Sequence, residues 1–265
     1  MLKDITLGQF FPGDTVVHRL DPRTKIVLLV VYIVALFQAS GWWSYALLIA
    51  ATAAVMLLGK IRAKNIFKGL KPMLLIIVFT ALLNMFYTPG RPVVEGWIIT
   101  WEGIARSVQM ILRITLLIAG TFLLTYTTSP IALTDGLEKL MSPLRRIGVP
   151  VHEMTLMMSM ALRFIPTLIE ETDKIMAAQK ARGADFETGS LLRRAKALLP
   201  ILVPLFVSAF RRADELAVAM ESRCYHGGEG RTRMKQMKLQ KIDFAAFVLG
   251  GLFLAAIFVM RRFHL

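Results

Sequence analysis

The chain has 265 residues, of which 55% are hydrophobic, and its formal net charge at pH 7 is +14. Its mean hydropathy of +0.58 lies outside the usual range of soluble globular domains and favours a lipid bilayer as the solvent for much of the chain. The single cysteine excludes an intrachain disulfide and a cysteine-rich metal site.

Four segments without a charged residue predict membrane spans, and they cover residues 26–59, 72–90, 114–134 and 244–260. Each of the last three is near the ~20 residues that cross a ~30 Å hydrocarbon core, and the first is long enough to cross twice. The first segment therefore predicts a hairpin that turns at Ser40-Gly41-Trp42-Trp43, with its tryptophans at the membrane interface. The prediction is an all-α integral membrane protein with about five transmembrane helices.

The positive charge follows this predicted topology and does not point to nucleic acid. Residues 60–71 carry five lysines and arginines, whereas the turn at 40–41 has none and residues 88–103 carry only Arg91. The positive-inside rule therefore predicts that the N-terminus, residues 60–71 and residues from about 129 to 241 are cytoplasmic. Arg261 and Arg262 would then lie outside, which conflicts mildly with the rule and leaves the exact number of spans open.

Residues 18–25 precede the first predicted span. Asp21 suits a helix N-cap, and Pro22 suits the first helical position, where its missing N–H costs nothing. A cap with cytoplasmic anchoring charges is the simpler interpretation of this segment. A docking site for a partner is the alternative.

Ionisable residues are nearly absent from the predicted spans. The candidates are Arg106 and Arg113, which lie seven residues apart at the start of the fourth span and serve either as interface anchors or in pairing with a partner. A secondary carrier usually places ionisable groups within its spans to bind ion or substrate. We therefore do not expect this chain to transport alone.

The long segment between the fourth and last spans predicts consecutive amphipathic helices. Proline and glycine divide it into helices over about residues 130–141, 143–147, 151–181 and 190–222. Pro166 is expected to bend the third helix. The predicted organisation is a membrane region at 1–128, a cytoplasmic coupling region at 129–241 and a final span at 242–265.

The two long helices of the coupling region are predicted to end alike, at Ala181-Arg182-Gly183 and at Ser222-Arg223-Cys224. An arginine between small residues leaves its guanidinium free to enter a groove and to form paired hydrogen bonds with a carboxylate. For one arginine, a favourable interaction with the helix dipole is the simpler explanation. Two arginines in matched contexts favour docking.

Four methionines lie near the start of the first long helix: Met154, Met157, Met158 and Met160. The first three share one helix face. Methionine is flexible and polarizable, so the cluster suits an interface with differently shaped partners, although such a stripe also occurs in ordinary packing.

The sequence contains no motif for catalysis. It has no GxxxxGK[ST] or GxGxxG loop, no GxSxG elbow, and none of its four histidines belongs to an H-E-x-x-H pattern. No catalytic residue, cofactor or metal site is predicted.

Four motifs together resemble the transmembrane T component of energy-coupling factor (ECF) vitamin transporters, over essentially the whole length. They are Leu20-Asp21-Pro22-Arg23-Thr24-Lys25, Arg163-Phe164-Ile165-Pro166, Ala181-Arg182-Gly183 and Ser222-Arg223-Cys224. The resemblance implies a multi-pass cell-membrane subunit whose X-Arg-X motifs at Arg182 and Arg223 dock two cytoplasmic ATP-binding-cassette (ABC) ATPases. It also implies a membrane S component that binds a vitamin, for which the four methionines are the candidate contact. At Cys224, after the second motif arginine, the family more often has the smaller glycine or alanine.

A different class remains as the alternative, namely a self-sufficient membrane carrier or membrane enzyme whose basic helices bind anionic lipid. Copurification with ATPases distinguishes a coupling subunit from a carrier that transports alone. The chain itself does not identify the vitamin, because the resemblance places the cargo site on the S component.

Overall fold

The computed structural model describes residues 10–92, 99–186, 190–227 and 237–263, and α-helix dominates these ranges. Two 3₁₀ segments and one isolated bridge, between Pro92 and Thr100, also occur there. The α-helices are α1 Val16–Arg19, α2 Pro22–Gln38, α3 Trp42–Gly59, α4 Ala63–Leu70, α5 Leu74–Tyr87, α6 Trp101–Thr127, α7 Pro130–Met141, α8 Val151–Ala181, α9 Leu191–Glu221 and α10 Lys241–Arg262.

Four helical segments in the described ranges are long and apolar enough to cross a membrane. They are α3, the segment Ala63–Tyr87 that contains α4 and α5, α6, and α10. The 17 residues of α2 extend about 25 Å, at the lower limit for a spanning helix. These helices confirm the predicted all-α integral membrane fold, and α2 and α3 are joined at Ser40-Gly41 as predicted.

The chain divides into two compact units, one formed by Gly8–Gly136 with Met237–Leu265 and the other including Leu137–Gln236. In the first unit, α6 packs against α2, α3, α4 and α5, and α2 packs against α10. The Tyr32 hydroxyl lies 2.8 Å from the hydroxyl of Thr52 and donates to the Leu116 carbonyl at 3.2 Å, which links α2, α3 and α6. A Cβ at Gly120 would come within 2.7 Å of the Tyr32 ring, so glycine permits this close approach.

Polar contacts join the starts of α2 and α10 to the end of α6. The buried Asp243 carboxylate accepts the backbone N–H groups of Gln240 and Asp21, each at 2.8 Å. The Lys25 ammonium donates to the Thr127 carbonyl at 2.8 Å. Helices α2 and α10 therefore start at the same end of this unit, where α6 ends.

Arg261 and Arg262 lie in the last turn of α10, at the opposite end of that helix from Asp243. Cations at a helix C-terminus interact favourably with the helix dipole, by roughly 0.3 to 1 kcal/mol at an exposed site. This interaction gives the two arginines a local role that the positive-inside rule does not consider.

Asp21 caps α2 as the sequence predicts, by accepting the Arg23 backbone N–H at 2.9 Å. The Arg23 guanidinium also donates to the Asp21 carboxylate at 3.0 and 2.9 Å and to the Met237 carbonyl at 3.1 Å. Burial works to raise the pKa of Asp21, but the hydrogen bonds and the charge of Arg23 outweigh it and hold this pKa below its usual range. Arg23, one of the predicted cytoplasmic anchoring charges, is therefore also held by hydrogen bonds to Asp21 and Met237.

The basic segment 60–71 is largely helical. Ile66 and Leu70, one turn apart in α4, are buried in a cluster that includes Leu123 and Tyr126 of α6. The Tyr126 hydroxyl donates to the Asn65 carbonyl at 3.3 Å. Two apolar residues at i and i+4 thus give this charged segment a face that packs on α6.

Helix α6 begins 13 residues before the uncharged segment at 114–134. Thr100 caps it by accepting the Gly103 N–H at 3.0 Å, so Arg106 and Arg113 both lie within the helix. Arg106 is exposed, whereas Arg113 donates to the Ala39 carbonyl at 3.1 Å and lies over the Phe37 ring at 5.9 Å. Arg113 therefore packs on the end of α2.

Candidate functional site

The second compact unit contains the two long helices predicted to form the coupling region. The proline and glycine pattern placed their bounds correctly, and α8 is continuous through Pro166 while α9 is continuous through Pro200 and Pro204. Before α8, α7 is followed by the 3₁₀ segment Ser142–Ile147, which ends at Gly148 with φ of +86°.

Helices α8 and α9 pack against each other in opposite directions. The Ser208 hydroxyl donates to the Glu171 carboxylate at 2.6 Å, and the Arg212 guanidinium donates to the same carboxylate at 2.8 Å. Farther along α8, the Gln179 side-chain amide lies 3.5 Å from the Pro200 carbonyl. Because residue numbers rise along α8 as they fall along α9, the helices are antiparallel.

Glu171 lies at the crossing of α8 and α9, and its carboxylate is held in its charged form. The hydrogen bond from Ser208 lowers the pKa of Glu171, burial opposes that effect, and the nearby charge of Arg212 lowers the pKa further. The net result is a pKa of Glu171 below its usual range, so the polar contact between α8 and α9 persists at neutral pH.

The end of α8 forms a Schellman motif. The Gly183 N–H donates to the Lys180 carbonyl at 3.0 Å, and the Ala184 N–H donates to the Gln179 carbonyl, also at 3.0 Å. Gly183 has the left-handed φ of +88° that this motif requires, and Arg182 is the C-cap residue before it. The Arg182 side chain is exposed.

The end of α9 repeats the motif bond for bond. The Cys224 N–H donates to the Glu221 carbonyl at 2.8 Å, and the Tyr225 N–H donates to the Met220 carbonyl at 3.0 Å. Cys224 takes the left-handed position with φ of +54°, so Arg223 occupies the position of Arg182 in α8. Arg223 is also exposed.

We call Ala181-Arg182-Gly183 the α8 tip and Ser222-Arg223-Cys224 the α9 tip. Their matching sequences thus have a backbone cause, because the residue after each arginine must turn the chain through a left-handed conformation. In each tip the arginine stands at the last turn, where neighbouring side chains are small and its guanidinium is accessible.

The two tips lie at opposite ends of the antiparallel pair. Arg182 is about 16 Å beyond Glu171 along α8, and Arg223 is about 22 Å beyond Ser208 along α9, at 1.5 Å per residue. The two distances run in opposite directions from the crossing. A single compact ligand therefore does not reach both arginines.

The left-handed position of the α9 tip leads to a stability prediction. Cys224→Gly is expected to stabilise the end of α9 by about 1 kcal/mol, because glycine adopts positive φ without the Cβ penalty. Gly183→Ala is expected to destabilise the end of α8 by a similar amount, since a Cβ there meets no atom within 4 Å and the cost is purely conformational. Hydrogen exchange of the last-turn amides measures both, and equal protection in all variants would contradict the prediction.

The methionine cluster lies at the start of α8. Met154, Met157 and Met158 are exposed by 41%, 62% and 45%, and Met160 is partly buried. The face that Met154, Met157 and Met158 share is therefore available for contact.

A second apolar surface lies on α9 and was not singled out from the sequence. Val203, Phe206, Val207 and Phe210 are exposed, follow helical spacing, and line an open groove that ends at Arg211 and Asp214. Their i, i+3, i+4, i+7 pattern is visible in the sequence, but it equally describes a buried core face. Because the folded helix leaves this face exposed, it is available for contact.

His152 pairs with Glu138, with 3.3 Å between Nδ1 and Oε1, and so connects α7 to the start of α8. In the ranges described by the structure, no three His, Cys, Asp or Glu side chains come together as a possible metal site.

The fold and these helix ends define a helical membrane protein with an amphipathic, antiparallel helix pair that carries two matched arginine tips. A family model described as CbiQ, cobalt transport protein, matches residues 13–234. The chain is 54% identical over 264 residues to the energy-coupling factor transporter transmembrane protein EcfT of Thermosediminibacter oceani, with 99% of each chain covered.

Two further relatives carry the same name. The EcfT protein of Clostridium kluyveri is 53% identical over 266 residues, with 99% of this chain and 98% of that protein covered. That of Bacillus subtilis is 46% identical over 264 residues, with 98% and 100% covered. The chain belongs to the family of ECF transporter transmembrane components, as its motifs predicted.

Proposed function

We propose that this ECF transmembrane component is the non-catalytic coupling subunit of an ABC-type importer in the cell membrane. It links two ATP-binding-cassette ATPases, which hydrolyse the ATP, to a membrane S component that binds a vitamin. The observation that carries this proposal is the repetition of one Schellman motif, with an exposed arginine at the same position, at the ends of α8 and α9.

Each tip docks one ATPase in this proposal. The guanidinium of Arg182 or Arg223 enters a surface groove and forms paired, charge-assisted hydrogen bonds with a carboxylate there. Small flanks at Ala181 and Ser222 and the tight turns at Gly183 and Cys224 allow the groove to close around the arginine. Because the tips point away from the crossing in opposite directions, two ATPase subunits are engaged at once.

The S component contacts the exposed apolar surfaces of the same helix pair. Met154, Met157, Met158 and Met160 supply an adaptable surface on α8, which suits S components of different shape. The exposed face around Phe206 and Phe210 on α9 extends the apolar area available to this partner.

Coupling follows from the arrangement of the tips and the crossing. When ATP binding brings the two ATPases together, each pulls on one helix end. The contact of Glu171 with Ser208 and Arg212 makes the two helices respond as a pair. Their apolar surfaces then shift against the S component, which releases its cargo toward the cytoplasm. Residues 129–241, the predicted coupling region, are cytoplasmic in this proposal.

Purification of the tagged full chain from its native membrane tests the proposal. We expect two ATPase subunits and an S component to coelute with it, and we expect the chain alone in liposomes to transport no vitamin. Transport by the chain alone, or elution without any ATPase, would support the self-sufficient carrier instead.

A further inference from the structure

A cleft of about 800 Å³ lies in the first compact unit, where α3 passes into α4. One wall is the segment from Phe11 to His18, and the other runs from Leu58 to Asn65. Lys60 and Arg62 bring two cations to the second wall, while Asp14 is the carboxylate of the first. No residue of the proposed coupling machinery lines this cleft.

Lys60 has a backbone conformation that lysine rarely adopts. Its φ is +52°, and it occupies the left-handed position of a Schellman motif at the end of α3. The Lys60 N–H donates to the Leu57 carbonyl at 3.1 Å, and the Ile61 N–H donates to the Met56 carbonyl at 3.0 Å. Glycine is the usual residue here, so a lysine at this turn is a local cost that indicates a use for its charge.

The electrostatic surroundings favour an anion. The lining carries the two cations Lys60 and Arg62 against the single carboxylate of Asp14. Arg62 also lies at the N-cap of α4 without a side-chain cap bond there. The positive end of the α4 dipole therefore adds to the charges of Lys60 and Arg62. Outside the cleft, Lys64 and Lys68 are exposed one turn apart on α4.

The apolar surroundings favour a lipid over a soluble anion. Leu57 and Leu58, in the last turn of the candidate span α3, are 79% and 58% exposed and immediately precede Gly59 and Lys60. An apolar, membrane-level surface thus continues directly into a cationic cleft. A phosphate group attached to acyl chains matches both parts, whereas a free phosphate matches only one.

We propose that this cleft binds the headgroup of an anionic phospholipid. Lys60 and Arg62 contact the phosphate, and the acyl chains follow the exposed leucines at the end of α3. The bound lipid compensates the unfavourable conformation of Lys60 and fixes the α3–α4 connection at the membrane surface.

The test uses the full chain, purified in a mild detergent, with dioleoylphosphatidylglycerol as the probe and dioleoylphosphatidylcholine as the neutral comparison. Native mass spectrometry measures the bound lipid. Combined Lys60→Gln and Arg62→Gln replacement is expected to weaken phosphatidylglycerol binding about twenty-fivefold, from about fivefold for each charge that contacts the phosphate. Binding of phosphatidylcholine should be weaker than that of phosphatidylglycerol in the parent protein.

The matched control is Lys64→Gln with Lys68→Gln, which removes the same charge from α4 outside the cleft. In detergent there is no charged bilayer surface, so this pair should reduce binding less than about threefold. Equal losses for the two pairs, or no loss for either, would overturn the proposal. Competition by inorganic phosphate at the lipid concentration would overturn it as well, because the cleft would then be a site for free anions.

Lys60→Gly separates binding from folding. Glycine suits the left-handed turn, so this variant should melt at a higher temperature than the parent without lipid and bind phosphatidylglycerol about fivefold more weakly. A lower melting temperature without lipid, or unchanged lipid binding, would count against the proposal. None of these measurements depends on ATPase partners, so they are independent of the coupling role.

Discussion

Replacing Arg182 and Arg223 together by alanine is expected to abolish both ATPase association and vitamin uptake, while the chain still inserts into the membrane. Each arginine is exposed at a helix end, so its removal leaves the fold intact and removes only the contact with a partner. Losing one partner of a buried, hydrogen-bonded charge pair costs about 2 to 5 kcal/mol, or about thirtyfold or more in affinity for each ATPase. Pull-down of the ATPases and uptake of radiolabelled vitamin measure the two effects.

The matched control is Arg194→Ala, which removes an exposed arginine near the start of α9, outside both tips, and should leave both readouts unchanged. Lysine at Arg182 or Arg223 should restore association only in part, because it keeps the charge and loses the planar fork. Glutamate should be worse than alanine. If the double alanine variant retains both ATPases and transports at the parental rate, the tips are not the docking sites.

Asp243→Ala is expected to destabilise the chain strongly, although Asp243 belongs to neither tip. Its carboxylate is 1% exposed and accepts the N–H groups of Asp21 and Gln240. Removing it leaves the buried N–H of Asp21 and the partly buried N–H of Gln240 without their acceptor at the starts of α2 and α10, at a cost of about 2 to 4 kcal/mol. Thermal unfolding of the chain in detergent should show a large decrease in the melting temperature.

Asp243→Asn keeps one acceptor oxygen and should give an intermediate melting temperature. Asp214→Ala provides the comparison, because the same replacement at an exposed position of α9 removes no such contact. If the Asp243→Ala chain has the same melting temperature as the parent, the carboxylate does not hold α2 and α10 together.

Local sequence patterns predicted the spans and the long helices, because their causes are local. Uncharged segments, a capping aspartate before Pro22, and prolines and glycines at helix ends act within a few residues. The bounds of α7, α8 and α9 follow these signals closely. The resemblance of the two tips could also be predicted, because each tip consists of three consecutive residues.

Contacts between distant residues could not be predicted in the same way. Asp21 and Asp243 are 222 positions apart, and the bond between Lys25 and Thr127 spans 102 positions. No periodicity connects such residues before the helices pack. The helical character of 63–70 was missed because its charges hid the apolar pair Ile66 and Leu70.

The tips illustrate what the backbone adds to a sequence match. The sequence aligned Arg182 with Arg223 and noted small flanks, but side-chain size alone did not explain why Gly183 and Cys224 are equivalent. Their shared left-handed conformation does. It also explains why the two are unequal, since glycine adopts this conformation freely and cysteine does so at a cost.

Cys224 makes one of the two tips chemically addressable in the natural sequence. It is the only cysteine of the chain, and it is exposed directly beside Arg223. A thiol-reactive fluorophore or spin label would therefore attach at the end of α9 and nowhere else, without any engineered residue. Motions and partner contacts of the α9 tip can be followed separately from those of the α8 tip.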